Sequence, residues 1–272
     1  MRIAMLQMPV GNCKEENLDT ACQYIRQAAG NGADIAVLPE MFNCPYTSDY
    51  FRRFAEPEGA LSWQRISQCA AELNIYVVAG SIPESADGKI YNTSFVFGKD
   101  GQPLARHRKM HLFDIDVKGG QVFRESDTFT AGDSVTTFEA NGVKIGVCIC
   151  FDFRFPELAR LMALDGVQII IVPAAFNMTT GPLHWETMFR QRATDNQVFT
   201  VGVAPARDTA GVYVSYAHSM ACSPWGKVLQ QADENPGIVY VDLNLLEVQE
   251  VRTQLPLLSA RRTDIYSIEK IK

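Results

Sequence analysis

The 272-residue chain is short of the features that mark several large classes of protein. No apolar run approaches the roughly 20 residues that a membrane-spanning helix needs, which excludes a helical membrane protein. The opening MRIAMLQMPV has neither the basic head nor the long apolar stretch of a secretory leader, so a cytoplasmic setting is expected. Seven cysteines, at 13, 22, 44, 69, 148, 150 and 222, form no CxxC pair, which argues against both a disulfide framework and a zinc ribbon. Basic charge is also scarce. Lys and Arg number 25 against 31 Asp and Glu, for a net charge of −6, and they form no long basic stripe, so nucleic acid is not an expected partner. Near the middle there is no Pro-, Gly- or Ser-rich linker, which favours one domain over residues 1–272.

What remains is a chain of average globular composition, 47% hydrophobic and 21% charged, long enough to bury a large α/β core. Short apolar runs alternate with amphipathic stretches. Strands are predicted over 3–7, 34–38, 76–82, 94–97, 144–149, 168–172, 199–204 and 238–243, and helices over 16–29, 61–73, 157–164 and 183–196. Pro156 stands where a helix opens without needing its N–H, and Asn141-Gly142 reads as a hairpin turn.

The two halves resemble each other. Arg2-Ile3 matches Lys144-Ile145, and GADIAVLPE (32–40) matches GVQIIIVPAA (166–175). Trp63, Asn74, Gly80 and Pro83 recur 122 positions later as Trp185, Asn196, Gly202 and Pro205. Tyr91, Ser94, Gly101 and Leu104 recur at an offset of 125 as Tyr216, Ser219, Gly226 and Leu229. One domain of two similar halves, each with its own sheet, is the expected architecture.

Reactive side chains fall at strand ends, where open α/β sheets collect ligands. Glu40 follows IAVLP, Lys109 follows LARHR, and Cys150 closes KIGVCIC. The repeat sharpens this choice, because Ala174 stands at the place of Glu40 and Met8 at that of Cys150. Taken singly each has an ordinary reading: a helix N-terminal carboxylate, a solvated charge, a small buried hydrophobe like its neighbour Cys148. Together a carboxylate, an amine and a thiol make an acyl-transfer set of base, oxyanion cation and nucleophile. A zinc hydrolase built on His107, His111 and the Cys148/Cys150 pair is the weaker reading, since no spacing completes a ligand set. A non-catalytic binding protein would be marked by loss of Glu, Lys or Cys, and all three are present.

LPEMF (38–42), RKMHLFDIDV (108–117) and GVCICFDFRFPEL (146–158) resemble the Glu, Lys and Cys segments of the nitrilase superfamily of carbon–nitrogen hydrolases, and AFNMTTGPLHWETMFRQRATDNQVF (175–199) and APARD (204–208) resemble its omega-amidase branch. The resemblance implies an α/β fold, a four-layer αββα sandwich, with Cys150 as nucleophile, Glu40 as general base, Lys109 as oxyanion stabiliser and Glu125 as a fourth, positioning residue. It implies a homodimer, no cofactor and no metal, acting on monoamides of short 2-oxo dicarboxylic acids. Amidases for deaminated glutathione or N-carbamoyl amines are the neighbouring alternatives. For the substrate, the Phe151 backbone N–H is a second oxyanion donor, and Arg154 offers a bidentate fork for a remote carboxylate, unless it pairs with Asp152 or Glu157. Tyr46, Phe176 and Thr180 fall at pocket positions of the family and would serve equally as packing. Glu125 could also be a loop carboxylate on the surface.

Overall fold

The computed structural model describes residues 1–119 and 121–271. The first half runs β1 (Arg2–Gln7), α1 (Lys14–Gly30), β2 (Ile35–Val37), α2 (Ser48–Phe54), α3 (Leu61–Leu73), β3 (Tyr76–Ala86), β4 (Lys89–Phe97) and β5 (Pro103–Arg108). A small hairpin, β6 (Asp114–Asp116) and β7 (Val122–Arg124), leads to the second half. That half runs β8 (Thr136–Ala140), β9 (Val143–Val147), α4 (Pro156–Leu164), β10 (Ile169–Pro173), α5 (Gly181–Asn196), β11 (Phe199–Val203), β12 (Met220–Cys222), β13 (Val228–Gln231), β14 (Gly237–Asp242) and α6 (Leu246–Gln254). Among the described residues no helix is long and apolar enough to cross a membrane.

Two six-stranded sheets result, ordered β14-β1-β2-β3-β4-β5 and β13-β12-β11-β10-β9-β8. Their central strands are parallel and joined through helices, while the outer pairs are antiparallel. Strand alternation sorts the side chains into layers. Ile3, Met5, Ile35 and Val37 meet Ile145, Val147, Ile169 and Ile171 between the sheets. Their neighbours Ala4, Leu6, Ala36 and Leu38 face α1 and α3, and Ile170 and Val172 face α4 and α5. The molecule is therefore a four-layer αββα sandwich.

The expected duplication is visible in the registers. Ile3, Ile35 and Tyr76 align across one sheet as Ile145, Ile169 and Phe199 do across the other. Strand pairing corrects one match, however. Val37 pairs Val78 and Val172 pairs Gly202, which makes Ala79, not Gly80, the counterpart of Gly202. Gly80 has its own reason: it sits in a bulge at φ +26°, where a Cβ would lie 2.0 Å from the Pro39 carbonyl oxygen. Counted by the repeat, in which β1 to β5 answer to β9 to β13, each unit gives its closing strand to the other sheet: β8, which comes after β5, pairs β9, and β14, which comes after β13, pairs β1.

The Asn141-Gly142 turn joins β8 to β9 with both residues at positive φ, as its sequence requires. An equivalent Asp87-Gly88 turn extends β3 and β4 well beyond the predicted strands. Elsewhere the predicted strand over 144–149 stops at Val147. Cys150 is not a strand residue; it opens a 3₁₀ turn, Cys150–Arg154, at φ +46°.

Candidate active site

Three loops at the ends of β2, β5 and β9 meet in the interior. Glu40 leaves β2 in a sharp turn in which Met41 takes φ +55° and donates its N–H to Ser81 Oγ (3.1 Å). Lys109 follows β5, with its N–H on the Asn92 carbonyl (2.8 Å) and its carbonyl on the Gly132 N–H (2.9 Å). Glu125 lies in a 3₁₀ turn after β7. All three side chains are buried, and Cys150 is only 5% exposed.

Lys109 Nζ donates to Glu40 Oε1 (2.9 Å) and contacts both oxygens of Glu125 (3.0 and 2.8 Å). Asn92 Nδ2 donates to the same Glu40 oxygen (2.9 Å) and reaches Glu125 Oε1 (3.3 Å). The Tyr46 hydroxyl lies 2.6 Å from Glu125 Oε1 and 3.3 Å from Glu40 Oε1. The Phe113 N–H holds the other Glu125 oxygen (2.6 Å). Glu125 is thus saturated with donors, and the surface-loop reading of it falls away. Glu40 is not: its Oε2 is buried with no hydrogen-bond partner among the described residues.

Charge explains the poise of the group. Burial would depress the Lys109 ammonium, but Glu125, Glu40 and Cys150 around it hold it above its ordinary range. Burial raises the Glu40 carboxyl, opposed by Lys109 and reinforced by Glu125. Cys150 is pushed well above the ordinary thiol range, first by burial and then by Glu40, with Lys109 and a backbone hydrogen bond from Ala175 acting the other way. The Cys150 thiol and the Glu40 carboxyl thus both lie above their ordinary ranges.

Asp152, which the sequence offered only as a partner for Arg154, instead ties the Lys109 segment to the Cys150 turn. Its Oδ2 accepts from His107 Nε2 (2.9 Å) and the Ile149 N–H (3.0 Å). Its Oδ1 accepts from the N–H groups of Met110 (3.1 Å) and His111 (2.9 Å), and from His111 Nδ1 (2.8 Å). Both histidines of the zinc alternative are thereby committed to one carboxylate. Burial opposes ionisation of Asp152, but His107 and His111 hold its carboxyl far below the usual range.

Among the described residues Arg154 makes no ion pair with Asp152, Glu157 or any other carboxylate. Its guanidinium lies over the Phe176 ring (4.8 Å) and near that of Phe151 (5.8 Å), and Nη1 donates to His184 Nδ1 (3.0 Å). Thr180 belongs to a turn, its hydroxyl on Asn177 Oδ1 (3.0 Å). A cavity of about 210 Å³ opens above Glu40, with Tyr46, Ala175, Asp208 and Tyr213 in its walls; Phe151, Arg154, Phe176 and Thr180 do not line it. The Tyr213 ring lies tilted against that of Tyr46 (4.8 Å between centroids), and its hydroxyl donates to the Ala175 carbonyl.

Asn92, Asp152 and Tyr213 are the site residues that sequence reasoning missed. Asn92 was within reach: the offset of 125 sets it against Ala217, the same kind of departure from the repeat that singled out Glu40.

A buried thiol, carboxylate and ammonium thus lie at the strand ends of an αββα sandwich. The family model for carbon–nitrogen hydrolases matches residues 2–253, and the chain belongs to that family. It is 47% identical over 271 residues to Omega-amidase NIT2 of Mus musculus and 48% identical to Omega-amidase NIT2 of Xenopus tropicalis, covering 100% of this chain and 98% of each relative. The crystal structure of Saccharomyces cerevisiae Nit3, a member of branch 10 of the nitrilase superfamily, matches it with a TM-score of 0.88 at 38% identity, over 96% of both chains.

Proposed function

We propose that this protein is an omega-amidase that hydrolyses monoamides of short 2-oxo dicarboxylic acids, such as 2-oxoglutaramate and 2-oxosuccinamate, to the acid and ammonia through a Cys150 thioester. The observation that carries the chemistry is the unpartnered buried oxygen of Glu40, in a carboxylate whose other oxygen is held by Lys109, Asn92 and Tyr46. A buried acceptor without a donor is costly unless a proton is to arrive there. Kinship along the full length to omega-amidases supports the choice of substrate.

In this reading Glu40 takes the thiol proton as sulfur attacks the amide carbon. The tetrahedral oxyanion rests on the Lys109 ammonium and the Phe151 N–H, and ammonia leaves with the proton returned by Glu40. Water, deprotonated by the same carboxylate, then cleaves the thioester. Glu125 orients Lys109 and, through Tyr46, the base. No cofactor is required, because nucleophile, base and cation are all side chains of one domain. Arg154 holds the remote carboxylate; its freedom from ion pairs and its seat on Phe176 support that role, with Tyr46 and Phe176 as further contacts. Thr180 shapes the turn beside them. The protein acts in the cytoplasm as a homodimer, which a solution mass of twice the chain would support.

Ammonia release across a substrate panel tests the proposal. A 2-oxo dicarboxylate monoamide should far outrun both a neutral amide of equal length and an N-carbamoyl amine. Arg154→Lys should lower kcat/KM for the charged substrate alone, because an ammonium lacks the planar fork. Equal loss on charged and neutral substrates would remove Arg154 from carboxylate binding.

A further inference from the structure

The cavity of about 210 Å³ over Glu40 is walled apart from the groups assigned to the acyl half of the substrate. Ala175 lines it, whereas the next residue, Phe176, carries the Arg154 guanidinium on its ring (4.8 Å), and neither Phe176 nor Arg154 borders the cavity. Its inner end is buried, with Glu40 1% exposed and the Oε2 of that carboxylate unpartnered among the described residues. Its outer end is made by exposed residues of two loops, Asn12 after β1 and Asp208, Ala210 and Val212 after β11. The cavity therefore runs from the surface to Glu40.

Hydrogen bonds hold the second loop in place. Arg207 Nη2 donates to the Tyr216 carbonyl (2.9 Å), the Tyr216 N–H donates to the Phe176 carbonyl (2.7 Å), and the Tyr213 hydroxyl donates to the Ala175 carbonyl. Asp208 Oδ1 accepts the Ala210 N–H (2.9 Å), which fixes its carboxylate at the mouth. Glu40 and Asp208 are the charged residues among those lining the cavity; the neighbouring Arg207 is turned to backbone carbonyls and His218 instead.

The reaction assigns this space. With the remote carboxylate on Arg154, the amide nitrogen must lie where Glu40 can return a proton to it. The leaving nitrogen therefore faces the cavity, and the acyl chain does not. Ammonia takes about the space of a water molecule, roughly 30 Å³, and leaves most of the cavity unfilled.

We propose that this cavity is a leaving-group pocket for N-substituted amides, and that Asp208 sets its charge preference. Small neutral or cationic substituents on nitrogen are accepted, and a leaving amine that bears a carboxylate is rejected. The inference rests on the omega-amidase reading and adds a class of secondary amides to it. The C–S bond forms as the C–N bond breaks, and the departing nitrogen takes the proton that Glu40 received from the thiol, so that a primary amine leaves in place of ammonia. An anionic substituent meets the Asp208 carboxylate in a pocket lined by no cation among the described residues, whereas an ammonium is attracted there.

The test compares the N-(2-aminoethyl) and N-carboxymethyl derivatives of 2-oxoglutaramate, substituents of similar size and opposite charge, by release of the amine. In the wild type kcat/KM should favour the aminoethyl amide on the order of tenfold, and the N-methyl amide should also be hydrolysed. Asp208→Asn, whose amide oxygen can keep the Ala210 N–H, should narrow that ratio about threefold, and Asp208→Lys should bring it to one or reverse it. A ratio of two substrates on one enzyme cancels any general loss of active protein. Equal kcat/KM for the two amides in the wild type, or a ratio that Asp208→Asn leaves unchanged, would overturn the proposal. So would turnover of 2-oxoglutaramate with none of the three N-substituted amides. If 2-oxoglutaramate itself is not hydrolysed, the omega-amidase reading fails instead; the same two substituents, placed on the amide that the enzyme does hydrolyse, then decide the pocket by the same ratio.

Discussion

Replacing Asp152 by Asn would test whether one buried carboxylate joins the Lys109 segment to the Cys150 turn. The amide keeps its single carbonyl oxygen best on the side that serves three donors, the N–H groups of Met110 and His111 and His111 Nδ1. Its NH₂ then faces His107 Nε2 and the Ile149 N–H in place of Oδ2. His107 can accommodate the change by shifting its proton to Nδ1, where the Thr136 hydroxyl lies 3.0 Å away and can accept. The Ile149 N–H has no such recourse. One orphaned buried donor costs about 1–3 kcal/mol, and the replacement of bonds to a charge by bonds to a neutral amide adds roughly 1–2 kcal/mol. A loss of about 3–4 kcal/mol of stability is expected from urea denaturation.

Turnover should suffer separately. Ile149 precedes Cys150 and Met110 follows Lys109, so loosening both moves Cys150 and Lys109 relative to each other, and on the proposed mechanism a misplacement near 1 Å costs on the order of 100-fold in rate. The loss should fall on kcat, with KM nearly unchanged, because Asp152 lies behind the site rather than against substrate. Acidification supplies a further check. The carboxyl of Asp152 lies lower in the folded protein than in the unfolded chain, so its stabilisation is fully present above the unfolded value near 4 and is lost as pH falls through the folded value. The stability gap between wild type and variant should therefore persist at neutral pH and shrink only in strong acid. A variant within about 0.5 kcal/mol of wild type and with unchanged kcat would refute this account.

Cys150→Ala should abolish turnover while leaving the fold intact, whereas Cys148→Ala should stay active; iodoacetamide inactivation that tracked Cys148 instead would reverse the assignment. Glu40→Gln should fold yet form no acyl-enzyme, and a covalent adduct accumulating normally by mass spectrometry would exclude Glu40 as the base. In the wild type, kcat/KM should fall on the acid side at a pH above the ordinary glutamate range, since burial raises the Glu40 carboxyl and its protonated form cannot accept the thiol proton. Gly80→Ala should impair both stability and rate, because its Cβ would meet the Pro39 and Leu38 carbonyl oxygens at 2.0 and 2.8 Å, on the turn that carries Glu40; wild-type behaviour would show that this backbone can give way.

What could be read from the sequence, and what could not, divides along the distance over which each feature is determined. The parallel strands were legible because burial on both faces makes them short apolar runs, and the Asn141-Gly142 hairpin because its turn chemistry is local. Asp87-Gly88 carried the same signal unread, which left β3 and β4 too short. The strands β6 and β7 have three residues each, too few for any alternation to register. The end of β9 had no local signal at all. The run KIGVCIC stays apolar through Cys150, and the strand stops where it does because the Asp152 carboxylate captures the Ile149 N–H and the next residue turns to positive φ. Asp152 itself is held by groups more than forty positions away, beyond the reach of any periodicity.

The candidate site residues stand out in the sequence for a different reason, which the strand exchange makes physical. Both sheets present strand ends to one shared cleft, so a duplicated chain supplies two sets of positions where a single set of reacting groups suffices. Glu40 and Asn92 come from the first half and Cys150 from the second, and their counterparts are Ala174, Ala217 and Met8. Another carboxylate at Ala174, which is fully buried, would be a buried charge without the cation that Lys109 supplies to Glu40. Backbone groups act at these positions instead: Ala175, next to Ala174, hydrogen-bonds the thiol, and Met8 accepts the Ala206 N–H (2.9 Å). The halves keep a common framework elsewhere, and it is the breaks in that framework that single out the candidate residues.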